Sequence, residues 1–151
     1  MEKLSKNFTY AEAVSSATAK RSMILNIPNE EEVKNMVLLC ENVLEPLREG
    51  IGNQPISIKS FFRTNLLNSL VGGANHSQHL EGKAADITTT KGNVVLFNYI
   101  KDNLEFDQLI WEFGDNNNPD WVHVSYNECK NRKMILRAMK VGGRTIYKNI
   151  V

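Results

Sequence analysis

The sequence predicts an α+β fold: a mostly antiparallel sheet with helices packed on it. Three observations point there. A long apolar stripe at helical spacing falls early, between Asn29 and Gly50. Short alternating segments dominate the second half of the chain. The pair Gly142-Gly143 divides the last two of these segments as a hairpin turn would. Helices followed by a run of strands is the order of an α+β domain.

The elements follow in chain order. Residues 1–7 read as a flexible N-terminus. Thr9-Tyr10-Ala11-Glu12 is a capping box and opens a short helix to about Ala17. Asn29 caps a second helix, with Glu32 three residues on. Its stripe runs Val33, Met36, Val37, Cys40, Val43, Leu44 and Leu47, and Gly50 and Gly52 end it. Pro55 leads into an alternating strand over Ile56–Phe61. Asn65 to Val71 reads as a short helix closed by Gly72-Gly73. Ala84–Thr88 is a strand, and Asn93–Asp102 a helix with Val94, Val95, Phe97 and Ile100 on its apolar face. Two further strands, Phe106–Phe113 and Trp121–Tyr126, are separated by the polar turn 114–119. Met134–Val141 and Arg144–Ile150 complete a terminal hairpin, within a C-terminal extension over 127–151.

Bulk properties narrow the classes. A chain of 151 residues suits a single domain with one core. A hydrophobic fraction of 42% and a charged fraction of 23% are ordinary for a globular protein. The net charge of +1 offers no electrostatic footprint for nucleic acid. No apolar run reaches the roughly 18 residues of a membrane span. The N-terminus lacks the apolar stretch of a signal peptide, so synthesis in the cytoplasm and release by another route are expected. Cys40 and Cys129 read as free thiols, Cys40 in the core. A monomer is expected.

The chemistry sits in Ser77-Gln78-His79-Leu80-Glu81-Gly82-Lys83-Ala84-Ala85-Asp86, answered later by Trp121-Val122-His123-Val124. His79, Asp86 and His123 are good ligands for a borderline metal such as Zn2+. Three protein ligands and one open position is the layout of a catalytic zinc site. The chain has only three histidines, and the third, His76, adjoins this run as a solvated loop residue. Taken singly, His79 and His123 read as ordinary polar residues of a loop and a strand. Taken with Asp86 they read as a metal site. Gly82 lets the chain turn between the first two ligands, and the small Ala84 and Ala85 leave room beside the metal. His123 should share a strand face with Trp121 and Ser125.

The run Ser-x-His-x-x-Gly-x-Ala-x-Asp with a late Trp-x-His resembles the zinc peptidoglycan peptidases. These include D-Ala-D-Ala carboxypeptidases and phage L-alanyl-D-glutamate endolysins, on the fold shared with the Hedgehog signalling domain. Asn26-Ile27-Pro28, Val43 to Arg48, Ile58 to Arg63 and Leu67 to Ala74 resemble the family's segments in the same order. The resemblance covers roughly residues 8 to 126 and is strongest to the small single-domain branch. One departure is Ser60-Phe61-Phe62-Arg63, where the family has Ser-Gly-Tyr-Arg.

The resemblance implies one Zn2+ per chain on His79, Asp86 and His123. It implies hydrolysis of a stem-peptide bond of bacterial peptidoglycan, on the D-Ala-D-Ala carboxypeptidase pattern. An endolysin-type endopeptidase and a non-catalytic zinc module are the alternatives. Asp120, three residues before His123, is the implied general base, with Glu112 in the neighbouring strand as its competitor. Asp120 also reads as a turn residue after Pro119. Arg63 is the implied clamp on the scissile carbonyl or a peptide carboxylate. Ser77 would bind substrate or support the ligand loop. Gln78 and Gln108 are candidate supports behind the ligands, and Trp111 and Trp121 are core or cleft wall.

Overall fold

A computed structural model describes residues 1–150. Six strands form one mixed sheet in the order β1-β2-β4-β3-β5-β6. They are β1 (Ser57–Ser60), β2 (Ala84–Thr88), β3 (Gln108–Glu112), β4 (Trp121–Ser125), β5 (Met134–Val141) and β6 (Arg144–Asn149). Their neighbours pair antiparallel except β3 and β5, which run parallel. The expected antiparallel sheet thus carries one parallel joint. It arises because residues 126–133 return the chain to the start of β3 before β5 begins, and Met134 pairs with Gln108.

Side-chain alternation divides the sheet into two faces with different duties. Ala85, Ile87, Leu109, Trp111, Val122 and Val124 join the buried core. The helices over that face are α3 (Glu30–Leu39), α4 (Glu45–Gly50) and α6 (Asn93–Asn103). They contribute Met36, Leu39, Leu47, Leu96 and Ile100, all at 0% exposure. The interleaved residues Asp86, Ile110, Glu112, Trp121 and His123 face the other way and line a cleft. A one-residue slip would exchange the two sets, so burial of the core face also fixes what the cleft receives.

Three local features differ from the sequence reading. The first helix stops at Val14, and Ser16 caps a separate α2 (Ala17–Arg21) after α1 (Tyr10–Val14). The long helix is interrupted by a π-helical turn at Cys40–Leu44 before α4. Pro46 supplies the reason: it has no N–H to donate and its ring crowds the carbonyl four residues back, which a widened turn relieves. The N-terminal residues are tied down rather than loose. Leu4 is 4% exposed in the core, and Ser5 and Asn7 both donate to the Glu45 carboxylate.

A short helix α5 (Asn65–Leu70), capped by Thr64, lies just beyond β1. Gly142 and Gly143 both take positive φ between Val141 and Arg144, as a two-residue hairpin turn requires. Cys40 is buried, Cys129 is exposed, and both are free thiols. Among the described residues, no helix is long and apolar enough to cross a membrane.

Candidate metal centre

Two neighbouring strands and one tight turn bring the three donors together. Asp86 on β2 lies directly across from His123 on β4. His123 Nδ1 and Asp86 Oδ1 are 3.0 Å apart. His79 enters from a 3₁₀ turn over Gln78–Glu81, with its Nε2 3.3 Å from Asp86 Oδ2. The donor atoms of the three residues lie within 4.8 Å of one another, and all three residues are buried.

The turn is built to hold His79. Ser77 caps it, its Oγ accepting from the His79 backbone N–H at 3.2 Å. The His79 carbonyl accepts from the Arg63 backbone N–H. His79 Nδ1 meets the Phe61 carbonyl at 2.6 Å. A carbonyl only accepts, so Nδ1 carries the proton and Nε2 keeps its lone pair toward Asp86. Gly82 closes the turn at φ +72, and a Cβ there would lie 2.5 Å from the Glu32 carbonyl oxygen. Conformation and packing on α3 both demand glycine.

The donor set fits Zn2+. Ligand bonds of about 2.0–2.2 Å in a tetrahedron place donor atoms roughly 3.3–3.6 Å apart. Each histidine nitrogen lies near that distance from its own Asp86 oxygen, His123 Nδ1 at 3.0 Å from Oδ1 and His79 Nε2 at 3.3 Å from Oδ2.

Arg63 stands at the edge of this set. Its Nε donates to Ser60 Oγ at 3.0 Å, its Nη1 to Asn68 Oδ1 at 3.1 Å and its Nη2 to Asp86 Oδ2 at 3.4 Å. Burial pulls its pKa down, against the opposing pull of Asp86 and Glu112. Gly73 makes room for this arrangement, since a Cβ there would come within 2.9 Å of Arg63 Nη1.

The two candidate bases separate on strand parity. Asp120 precedes β4 with the parity of Val122 and Val124, which are core residues. It is exposed and is not among the residues that line the cleft. Its visible work is done by its backbone: the N–H donates to the Glu112 carbonyl, and the carbonyl accepts from Asn93. Glu112 is on the cleft face, 7% exposed, two residues beyond Ile110, the direct partner of His123. Burial, joined by the facing Asp86 carboxylate, pushes its carboxyl up to about 7, although His123 and Arg63 pull the other way. Among the described residues no side chain or backbone group hydrogen-bonds that carboxylate, so it is free for other partners.

The cleft around these groups has a volume of about 850 Å³. It is lined by Arg63, Ser77, His79, Asp86, Glu112 and His123, among others. His76 also lies on its wall. Gln78 donates to Asp107 Oδ2 at 3.0 Å, and Gln108 to Met134 Sδ at 3.3 Å, so neither braces a histidine ring. Trp121 is cleft wall, whereas Trp111 is core and packs edge-on to Phe97 at 5.1 Å. Sequence reasoning did not single out Phe61, whose contribution is a carbonyl and so carries no side-chain signature. It also passed over Asn68, which reads as an ordinary helix residue.

Residues 6–125 match the family model described as Peptidase M15. The chain belongs to the peptidase M15 family. Over 92 residues it is 33% identical to the zinc D-Ala-D-Ala carboxypeptidase of Streptomyces albus G. That stretch covers 54% of this chain and 31% of the relative, so the chain spans only about a third of that protein's length. The M15 match contains His79, Asp86, His123, Arg63 and Glu112, and it ends before β5 and β6.

Proposed function

We propose that this chain is a zinc metallopeptidase that cleaves a bond in the stem peptide of bacterial peptidoglycan. His79, Asp86 and His123 hold the ion, Glu112 moves the proton and Arg63 clamps the substrate. One observation carries the reading: a buried, unbonded carboxylate shares a cleft with three convergent donors. A module that used zinc only to hold its fold would have no need of Glu112 there. The M15 membership and the likeness to a zinc D-Ala-D-Ala carboxypeptidase support the substrate class.

Zn2+ at this site would supply a Lewis acid that polarises the scissile carbonyl and makes water a better nucleophile. Glu112 accepts a proton from the attacking water as the new C–O bond forms. The same carboxyl then gives that proton to the amine nitrogen as the C–N bond breaks, and so returns to its anionic form. A carboxyl lifted to about 7 suits both halves of this exchange near neutral pH. Arg63, fixed by Ser60 and Asn68, holds a cation ready for the negative charge that develops on the carbonyl oxygen. Ser77 keeps the His79 turn in place.

The D-Ala-D-Ala carboxypeptidase pattern is preferred because the similar protein carries that name. Mass spectrometry of purified muropeptides after digestion tests it directly. Loss of one alanine residue from pentapeptide stems is the expected product. Release of stems that begin at D-glutamate, with L-alanine left on the glycan, would instead mark an L-alanyl-D-glutamate endopeptidase. No product from fully zinc-loaded protein would overturn the catalytic reading.

A further inference from the structure

Beyond Glu112 the cleft continues over residues that the proton transfer does not use. Trp121 lies directly across from Glu112, and its ring meets Phe113 edge-on at 5.4 Å. Lys59 Nζ sits 4.6 Å from the Trp121 centroid, and Lys140 Nζ 5.9 Å from the Phe113 centroid. Two ammonium groups therefore bracket an aromatic pair; Lys140 and both rings line the cleft, and Lys59 sits on the Trp121 ring beside it. Neither lysine has an ion-pair partner among the described residues.

The C-terminal hairpin completes this end. Glu112 pairs with Ala138 on β5, and Ala138 pairs with Tyr147 on β6. Ala138 is small and fully buried, so nothing tall stands between Glu112 and Tyr147 in that row. Tyr147, Thr145 and Lys140 all line the cleft. The Tyr147 hydroxyl has no hydrogen-bond partner among the described residues. As a neutral phenol it can donate. This wall lies outside the M15 match.

We propose that Lys59 and Lys140, flanking the Trp121–Phe113 pair, form with the Tyr147 hydroxyl of the cleft wall a subsite for a carboxylate-bearing segment of the peptide. The proposal rests on the metallopeptidase reading for the identity of the ligand as a peptide. The chemistry is plain. The cations and the phenol supply donors only, and the rings supply an apolar floor for the short alkyl groups beside the carboxylate. A stem peptide offers that group from two sources, its C-terminus and the α-carboxyl of its γ-linked glutamate.

The test uses two pairs of synthetic stem peptides, each pair differing only by a carboxylate against its amide at one of those positions. KM and kcat are measured with zinc-loaded protein, and binding to the Glu112→Gln protein is followed by tryptophan fluorescence. In one pair the acid should show a KM lower than its amide by on the order of five- to tenfold, the scale of a partly exposed charge contact. That pair identifies the source. Lys140→Met and Tyr147→Phe should each shrink the ratio through KM, and added salt should shrink it further. Both substitutions are at exposed positions, which keeps the fold out of the comparison. Equal KM and equal binding for acid and amide in both pairs would overturn the subsite while leaving the peptidase intact. Tighter binding of an acid without turnover of any peptide would leave the subsite standing and defeat the peptidase reading.

Discussion

Two buried aspartates border the same cleft and are treated in opposite ways. Asp107, just before β3, is 0% exposed. It receives the Arg132 guanidinium at 2.6 Å, the Arg132 backbone N–H at 2.9 Å and the Gln78 amide at 3.0 Å. Every one of its strong partners is a donor from the chain itself. Asp86 faces two histidine nitrogens that also have lone pairs to give, with Arg63 only at 3.4 Å. Asp107 is a closed clasp; Asp86 belongs to a set of donors that converge with room for a cation. Burial alone therefore does not mark a functional carboxylate. What marks it is whether its neighbours donate protons to it or share a ligand with it.

The largest effect that sharpens this contrast concerns Glu112, the third buried acid and the one left without a partner. Glu112→Gln should lower turnover by roughly two to four orders of magnitude with zinc content unchanged. Its pH profile supplies a second check. With its carboxyl pushed up to about 7, Glu112 is ionised above that value and protonated below it. The parent's turnover should therefore fall as pH drops through this region, at a lower pH once a bound cation favours the anion. The Gln variant's residual turnover should lack that limb. A parent-like rate in Glu112→Gln would remove the base from this position.

Asp107 should register in stability instead. Asp107→Asn leaves the half-exposed Arg132 facing a neutral amide and should cost about 1–3 kcal/mol, read by denaturant melts. Acid should reproduce part of that loss. The Arg132 and Gln78 hydrogen bonds overcome burial and bring the Asp107 carboxyl down to about 2 from the ordinary 3.8. A depressed folded pKa stabilises above the unfolded value and loses that contribution as pH falls from about 4 through about 2. The gap between parent and Asp107→Asn should close across that window. A gap that stays constant would show that the clasp is not ionic.

The smallest effect is expected at Asp120. Asp120→Asn removes an exposed carboxylate and keeps the backbone bonds to Glu112 and Asn93, so stability should move by less than about 0.5 kcal/mol. Turnover should stay near the parent's. A loss as deep as that of Glu112→Gln would return the base to Asp120.

These outcomes bear on what was legible in the chain itself. The donors His79, Asp86 and His123 stood out because rare residue types fell at informative spacing around Gly82. The choice between Asp120 and Glu112 was not legible. Position three before His123 looks close along the chain, but three residues on a strand reverse the face. Placing Glu112 beside His123 needs the β3–β4 register, which no local pattern carries. The parallel joint of β5 to β3 was hidden for the same reason, although the glycine pair announced the hairpin. Pro46 lay in plain view, yet the apolar stripe ran past it in phase and concealed the π turn. The N-terminus looked loose because Leu4 and Phe8 alone make no periodic pattern; tertiary packing against the Glu45 region decides it.

The most direct measurement is zinc per folded chain in three proteins, by elemental analysis after removal of loosely held metal. The account predicts about one zinc in the parent, about one in Asp107→Asn and almost none in Asp86→Ala, each shown to be folded. Full zinc occupancy in Asp86→Ala would contradict it, because the open aspartate would then be no more a ligand than the closed one.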